Sequence, residues 1–520
     1  MKLRNVNTTD IAAAIEAGAR TMASVFNADD DDIPFFGSQV WPDPRLAFSS
    51  VHSEGHVPGR HLNALLTAES LGFPIDEAAV EKHARAAFFS YSGSVPLPLN
   101  RERVDGPLVN FRPHNVREGF HALYALARFR DSVQARDVAE ASIGAINELW
   151  DPDRDWDYEG AARAHGIDVK VETTFIRGVG RAIGPLVKYY RATGYGPALE
   201  LAIRLKDKAV ADHFTADGSY STERFGPHTH STTCVMSSLA QLADLMNDAP
   251  LMGRVRTFYS RGLWEIRDEL GWVIESSLPD AEPDFGEVNN TGDILETALI
   301  LGRWGYPDAF DDAERILRGH LLPSQLRDVS WIREPSEPGG GDGRRDVARR
   351  HLGAFGFPAP YGHRPVEATR ISFNMDIVGG AVASLCEAYR DVTRHDAAGH
   401  WVNLLFDHHT EEIEVESPYP SGVLGITVKW PGPLFVRIPA WADIDDVVVE
   451  GAVAATPRTG RYLMVPEPPY GRRITFRLDP PTSEMVLRHR TRDIRVRLRG
   501  DAVEAMDNFG QDLTFFDPID

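Results

Sequence analysis

Glu287 follows Gly286 and precedes Asn289 and Asn290, where a loop gives way to a helical pattern. A carboxyl group at such a point can be aimed into the mouth of a helical assembly, and if burial keeps it protonated it can hand a proton to a departing oxygen. Cleaving a glycosidic bond by the usual route needs that acid and a second, ionised carboxylate that activates water or attacks carbon. Two further acids stand near helix starts: Glu172, after a loop holding Trp156 and Tyr158, and Asp376, two residues after Asn374. Each of the three also fits a plainer role as a solvated loop acid or a helix cap.

A denser signal is basic. Asn110-Phe111-Arg112-Pro113-His114-Asn115-Val116-Arg117-Glu118 gathers two arginines and a histidine just before a helix, and with His56, Arg60, His61 and Asn63 it can form one wall of a pocket. Arginine grips a carboxylate through two parallel hydrogen bonds, so a uronic acid is the natural ligand if these side chains converge. The alternative is internal, with Arg60 and Arg117 paired to acids such as Glu54 and Glu118. His228 and His230 alternate in one loop; lacking a third ligand in register, they read as substrate contacts in preference to a zinc site. Asn290 is a further polar contact beside Glu287, and Trp331, in a loop, can stack on a sugar face, whereas Trp304 falls in a helical period and reads as core. No metal and no cofactor is expected. Neither a Gly-rich phosphate loop nor a G-x-S-x-G elbow is present, which removes support for nucleotide-dependent and serine hydrolase chemistry.

These residues belong to a chain of 520, with 55 basic against 76 acidic side chains and a net charge of -21 spread along its length. A field of that sign repels nucleic acid and anionic membrane surfaces, so neither is expected as a partner. Two cysteines, Cys234 and Cys386, are too few for a disulfide framework, and both sit in helical patterns as small buried groups. The N-terminus lacks a continuous apolar run, and no stretch of about 18 apolar residues follows; the expected location is the cytoplasm, and a homo-oligomer fits as well.

Apolar positions recur at three- and four-residue spacing from residue 8 to about 393. The spacing predicts twelve helices, near 8–26, 58–73, 76–91, 115–130, 133–149, 173–193, 196–214, 231–246, 251–269, 291–304, 307–321 and 371–393, many joined in pairs by short Gly- and Pro-containing loops. Six hairpins can close into an (α/α)6 barrel; with no repeat of fixed period, a solenoid is the weaker reading. Long loops at 92–114, 150–172, 215–230, 270–290 and 322–370 would gather at one mouth, with 337–345 as a flap. Beyond about residue 400 the period changes to two, and seven strands at 412–416, 424–428, 434–438, 446–449, 461–465, 473–477 and 494–498 predict an antiparallel β-sandwich. The fold class is thus mainly α with a β domain: a barrel over residues 1–398 and an accessory sandwich over 399–520.

Two stretches carry a resemblance. Gly55-His56-Val57-Pro58-Gly59-Arg60-His61-Leu62-Asn63-Ala64-Leu65 and Leu434-Phe435-Val436-Arg437-Ile438-Pro439-Ala440-Trp441-Ala442 are similar to an early helix and a sandwich strand of the β-L-arabinofuranosidases of glycoside hydrolase family 127. The resemblance implies an (α/α)6 barrel followed by β-sandwich domains. It also implies a zinc-bound thiolate nucleophile, but the matching positions here are Thr291, Asp293, Phe373 and Asn374, from which no such site can be built. Asp293, standing where the family has a metal ligand, should still point inward and is a second catalytic candidate. The expectation is a glycoside hydrolase acting at the end of an oligosaccharide by carboxylate acid–base chemistry without zinc. The alternatives are a lyase on the same barrel and a sugar-binding protein without activity.

Overall fold

The computed structural model describes residues 1–279, 284–335, 341–365, 368–508 and 512–519. Among the described residues of the first part, twelve helices build a ring, and shorter ones at Tyr158–His165, Thr222–Phe225 and Val347–His351 lie in its connections. The twelve are α1 (Ile11–Met22), α2 (Val57–Ser70), α3 (Glu77–Ser90), α4 (Asn115–Phe129), α5 (Val133–Leu149), α6 (Ile183–Thr193), α7 (Gly196–Asp212), α8 (Thr229–Met246), α9 (Ala249–Ser260), α10 (Val288–Arg303), α11 (Asp308–Ile316) and α12 (Met375–Val392). Even-numbered helices pack in sequence, α2 on α4, α4 on α6 and so on to α12, which returns to α2 and closes the cycle. Odd-numbered helices lie outside, each against its even neighbour.

Burial follows from this placement. An outer helix such as α3 buries Ala79, Val80, His83, Ala86, Ala87 and Ser90, a single stripe at helical spacing. The inner α8 buries every residue from Thr229 to Ala240, polar ones included. Their starts differ too. Asp10, Asp76, Ser132 and Asp248 cap the outer helices α1, α3, α5 and α9 by accepting a backbone N–H. At the inner helices the same position is held by His56, His114, Ala182, His228, Glu287 and Asn374, and none makes a side-chain cap bond. Residues that would ordinarily close the helix end are thereby left for other work.

Glycine sets how closely α2 and α4 approach. A methyl group on Gly59 would lie 1.7 Å from the carbonyl oxygen of Glu118, so only a bare backbone fits there. On α12, a Cβ at Gly380 would sit 2.0 Å from Asn289 Oδ1 and 2.8 Å from Arg60 Nη1. Gly59 and Gly380 therefore bring Arg60, Glu118 and Asn289 to the ring axis.

The helical expectation holds with corrections at its edges. The helix expected from 173 starts late, because Phe175, Thr174 and Gly178 turn back on themselves before a 3-10 turn at Val179–Ala182, so Glu172 lies in a loop. The one expected to reach 269 ends at Ser260, followed by a 3-10 turn, and the one over 307–321 finishes in a π turn at Leu317–Leu321. Of the expected flap, Glu337, Pro338, Gly339 and Gly340 lie outside the described residues; Arg344 is tied to Asp43 at 3.0 Å.

In the C-terminal part, two five-stranded sheets share one apolar core of Val402, Ile413, Val415, Leu424, Ile426, Leu434, Val436, Ile474 and Phe476. One runs His408–His409, Ile413–Glu416, Val423–Val428, Arg473–Arg477, Val449–Glu450; the other Arg458–Thr459, Tyr462–Val465, Leu434–Arg437, Gly399–Val402, Thr393–Asp396. The second is not wholly antiparallel: Leu434–Val436 pairs in parallel with His400–Val402, because the latter strand enters directly from α12 through a hairpin. Only Val449 of the strand expected at 446–449 is extended in a ladder, and Thr482–Arg488, Asp493–Arg499 and Ala502–Met506 form a separate three-stranded sheet. That sheet packs Leu487, Ile494, Val496 and Met506 on Leu3, Val40 and Trp272. Arg437 joins the two parts. It is fully buried, pairs with Asp311 and donates to Glu314 at 2.6 Å on α11, while Trp441 donates to Asp501 at 3.1 Å. This explains the arginine and tryptophan of the Leu434–Ala442 motif.

Candidate active site at the open end of the helical ring

The starts of the six inner helices meet at one end of the ring, and at their centre is an acid that sequence reasoning treated only as a pairing partner. Glu118, on α4, is fully buried. It accepts from Arg60 Nε at 3.2 Å and Arg117 Nη1 at 2.9 Å, with Arg181 Nη2 at 3.8 Å and His56 Nδ1 at 3.6 Å. Burial would raise its carboxyl, but the surrounding charges of His56, Arg60, Arg181 and Arg117 outweigh this and hold it well below the usual range. Arg60 and Arg117 are thus committed to an internal carboxylate, and the expected basic wall does not face substrate as a set of free guanidinium groups.

Acids of opposite character lie on either side. Asp376, at the start of α12, is 3.1 Å from His56 Nε2 and 3.4 Å from Arg60 Nε; burial pushes against its charge, but Arg60 and His56 lower it overall. Across the ring, Glu287 begins α10 and Glu275 lies in the loop before it. Burial raises Glu275 well above the carboxylate range, and the adjacent charge of Glu287 adds to the effect. Burial also raises Glu287, against the pull of Arg60. The two behave as a carboxyl pair that retains a proton. Burial pushes Asp293, six residues further along α10, up to about 7, restrained by Arg117 and by the Thr233 hydroxyl at 2.9 Å. His230 bridges these acids, with Nδ1 3.4 Å from Glu287 and Nε2 3.5 Å from Asp293. Arg181 Nη2 lies 3.2 Å from the same Nδ1. Burial and the charge of Arg181 keep the His230 imidazole neutral by lowering it well below its ordinary value.

At the rim, His114 contacts Glu172 through Nδ1 at 2.8 Å, and Arg112 stands near Glu172, its Nε buried without a protein partner. His228 bonds Ser231 Oγ at 2.8 Å and faces Glu275 at 3.4 Å.

Three expected contacts lie elsewhere. His61 is turned away from the ring mouth, its Nε2 2.8 Å from the Met375 carbonyl and its Nδ1 3.0 Å from His83, so it ties α2 to α12. Asn290 is spent between helices, accepting from Thr233 and donating to Thr229. Trp331 packs against the Leu3 and Trp272 cluster under the last sheet. Cys234, expected as an apolar filler, is buried but faces polar groups, since it lines a small cavity on the ring axis with Arg60, Asn63, Arg117, Asn289 and Asp293. Cys386 is in the apolar core. Residues missed are Glu275, His52 and Arg181; a histidine four residues before His56 was the one available signal.

The axial cavity, about 30 Å³, has room for roughly two waters and no sugar. Outside it, a cleft of about 1230 Å³ is lined by Arg45, Asp284, Phe285, Phe357, Arg370 and Asn374, among others. Phe285 and Asn374 each stand two residues before an acid of the ring mouth, Glu287 and Asp376. This cleft, and not the axial cavity, has the dimensions for an oligosaccharide.

The donor set does not fit a thiolate-bound zinc at the positions the resemblance implies. Thr291 Oγ1 donates to the Gly271 carbonyl, Phe373 is buried in an apolar cluster, and the two cysteines are on different helices.

No family model and no curated protein sequence matches the chain. Solved structures do. A family 127 β-L-arabinofuranosidase from Geobacillus stearothermophilus is 15% identical with a TM-score of 0.51, the match covering 95% of this chain and 80% of that one. A second family 127 β-arabinofuranosidase is 14% identical with a TM-score of 0.59, over 96% and 81%. A sugar epimerase from a ruminal bacterium is 9% identical with a TM-score of 0.51, over 73% and 99%. At such identities the likeness is one of architecture, and the chain shares the fold of these structures.

Proposed function

We propose that the protein is a glycoside hydrolase acting at the end of an oligosaccharide, with the expected catalytic (α/α)6 barrel over 1–398 and accessory β-sandwich over 399–520 meeting a few residues earlier, at Thr393, where the first strand of the sandwich begins. The observation that carries this reading is the buried acid cluster at the ring mouth, in which His230 lies 3.4 Å from Glu287 and 3.5 Å from Asp293 and burial raises both Glu275 and Glu287. Two groups whose surroundings hold them in different protonation states are what acid–base cleavage requires. Glu287 gives its proton to the glycosidic oxygen, and Glu275 keeps that proton in place beforehand. Asp293, poised near neutrality, takes a proton from the water that attacks the anomeric carbon while the bond from that carbon to the protonated glycosidic oxygen breaks. The Asn289 amide donates to Glu287 and fixes its rotamer.

The cleft outside seats the sugar. Phe285 and Phe357 offer apolar faces, and Arg370 in the same lining favours a saccharide bearing a uronic acid. The neutral imidazoles of His114 and His230 also suit a base, which keeps the lyase reading open. Incubation with uronate-containing oligosaccharides separates the two. Hydrolysis gives new reducing ends without an ultraviolet-absorbing double bond, and Glu287→Gln abolishes it while binding persists. An unsaturated product, or full turnover by Glu287→Gln, overturns the assignment.

A further inference from the structure

His52, His56 and His114 come from two separate segments and meet at the rim of the ring, one nitrogen of each lying within 4.8 Å of the others. Each ring is oriented by an outer contact at Nδ1: Ser49 Oγ at 3.2 Å for His52, Asn115 Oδ1 at 3.0 Å for His56 and Glu172 Oε1 at 2.8 Å for His114. Outer contacts of this kind are the pattern by which metal-binding histidines are held. His114 is only 8% exposed, yet its Nε2 has no protein partner.

The spacing fits an ion. A metal about 2.1 Å from one nitrogen of each imidazole is about 3.2 Å from each ring centre, and tetrahedral placement then separates the centres by roughly 5.2 Å. The observed separations are 5.0 Å for His52 and His56, 5.3 Å for His52 and His114, and 5.6 Å for His56 and His114. Asp376 Oδ2, 3.1 Å from His56 Nε2, is a hydrogen-bond partner of that ring outside the three-histidine group. Arg60 also touches Asp376, at 3.4 Å, and Phe36 stacks on His52 with ring centres 4.0 Å apart, closing one side.

We propose that His52, His56 and His114 form a binding site for a divalent ion of the zinc type, which three imidazoles suit. The site shares no residue with the positions of the thiolate-bound zinc considered above. The other histidine cluster, His228, His230 and Glu287, is a poorer seat, because the Arg181 guanidinium lies 3.2 Å from His230 Nδ1 and sets a positive charge where the ion would go.

The test uses the full chain, stripped with a chelator. Zn²⁺ is titrated calorimetrically, and Co²⁺ is followed by its visible absorption, which is intense for a four-coordinate ion. One equivalent of either metal is expected. His52→Ala and His114→Ala, checked for folding by circular dichroism, lose it; Glu172→Gln binds one equivalent about 10–100-fold more weakly; His228→Ala binds as the wild type does. The proposal is overturned if the wild type takes up no metal, if His52→Ala and His114→Ala keep wild-type affinity, or if His228→Ala is the variant that loses the ion. None of these readouts depends on sugar turnover, so their failure is distinct from failure of the hydrolase reading.

Discussion

Replacing Glu118 by Gln keeps the shape of the buried side chain and removes its charge. Three guanidinium groups, at 2.9, 3.1 and 3.8 Å, then face one another without their anion. Removing one partner of a buried ion pair destabilises by about 3–5 kcal/mol, most of it from the charge left unpaired. Roughly 400 residues unfolding at about 2.1 cal/mol/K each give an entropy near 0.8 kcal/mol/K, so the melting temperature should fall by about 4–6 °C. Differential scanning fluorimetry at neutral pH measures this. Because the carboxyl is held well below its usual range, its contribution is present in full above about pH 4.5 and is lost only as pH falls through the lower folded value. The deficit of the variant should therefore be constant from pH 6 to 8. Pairing it with Arg117→Met should recover part of the loss, since one surplus cation leaves with its partner. A Glu118→Gln melting temperature within about one degree of wild type would show that the carboxylate does not organise the arginines, and with it the account of the ring mouth would fail.

Three further outcomes follow from the geometry. Asp293 is pushed up to about 7 in the fold, so the folded state holds its proton where the unfolded chain has lost it; its contribution to stability declines as pH rises from about 4 to 7. Asp293→Asn should remove roughly 2–3 kcal/mol of that decline between pH 5 and 8, measured by chemical denaturation, and parallel pH profiles would refute the assignment. Glu287→Gln should lower kcat by about 10²–10⁴-fold and remove the alkaline limb of the pH–rate profile, because the acid must be protonated to act; a variant retaining that limb would assign it to another group. Gly59→Ala places a methyl group 1.7 Å from the Glu118 carbonyl oxygen and should destabilise by about 1–3 kcal/mol or more while lowering activity. Wild-type melting and turnover in that variant would mean that α2 and α4 can separate freely.

The helical ring was legible because outer helices such as α3 repeat an apolar stripe, and because the inner helices α6 and α10 are followed by Gly194 and Gly305, both in the left-handed region. The inner helices were legible as helices, but not for what they carry. Glu118 sits beside Arg117 in the chain and read as its local partner; that Arg60 and Arg181 reach the same oxygen is a consequence of ring closure, which no spacing reveals. Glu275 was hidden for a related reason, since its elevated proton affinity arises from burial against Glu287 across a loop. His61 and Asn290 were legible as polar residues near the mouth, but a helix turns neighbouring side chains about 100° apart, and both face sideways into adjoining helices. Among the strands, Thr482–Arg488 was missed because both faces are largely exposed and its sequence does not alternate. The parallel pairing of Gly399–Val402 is likewise a property of chain path that composition does not record.

The unclosed starts of the six inner helices have an electrostatic consequence. Each contributes about half a positive elementary charge from its aligned peptide dipoles, and all six point the same way, so roughly three positive charges are concentrated at that end. In a molecule carrying -21 overall, this contribution offsets part of the negative charge that Glu118, Asp376 and Glu172 bring to the same end.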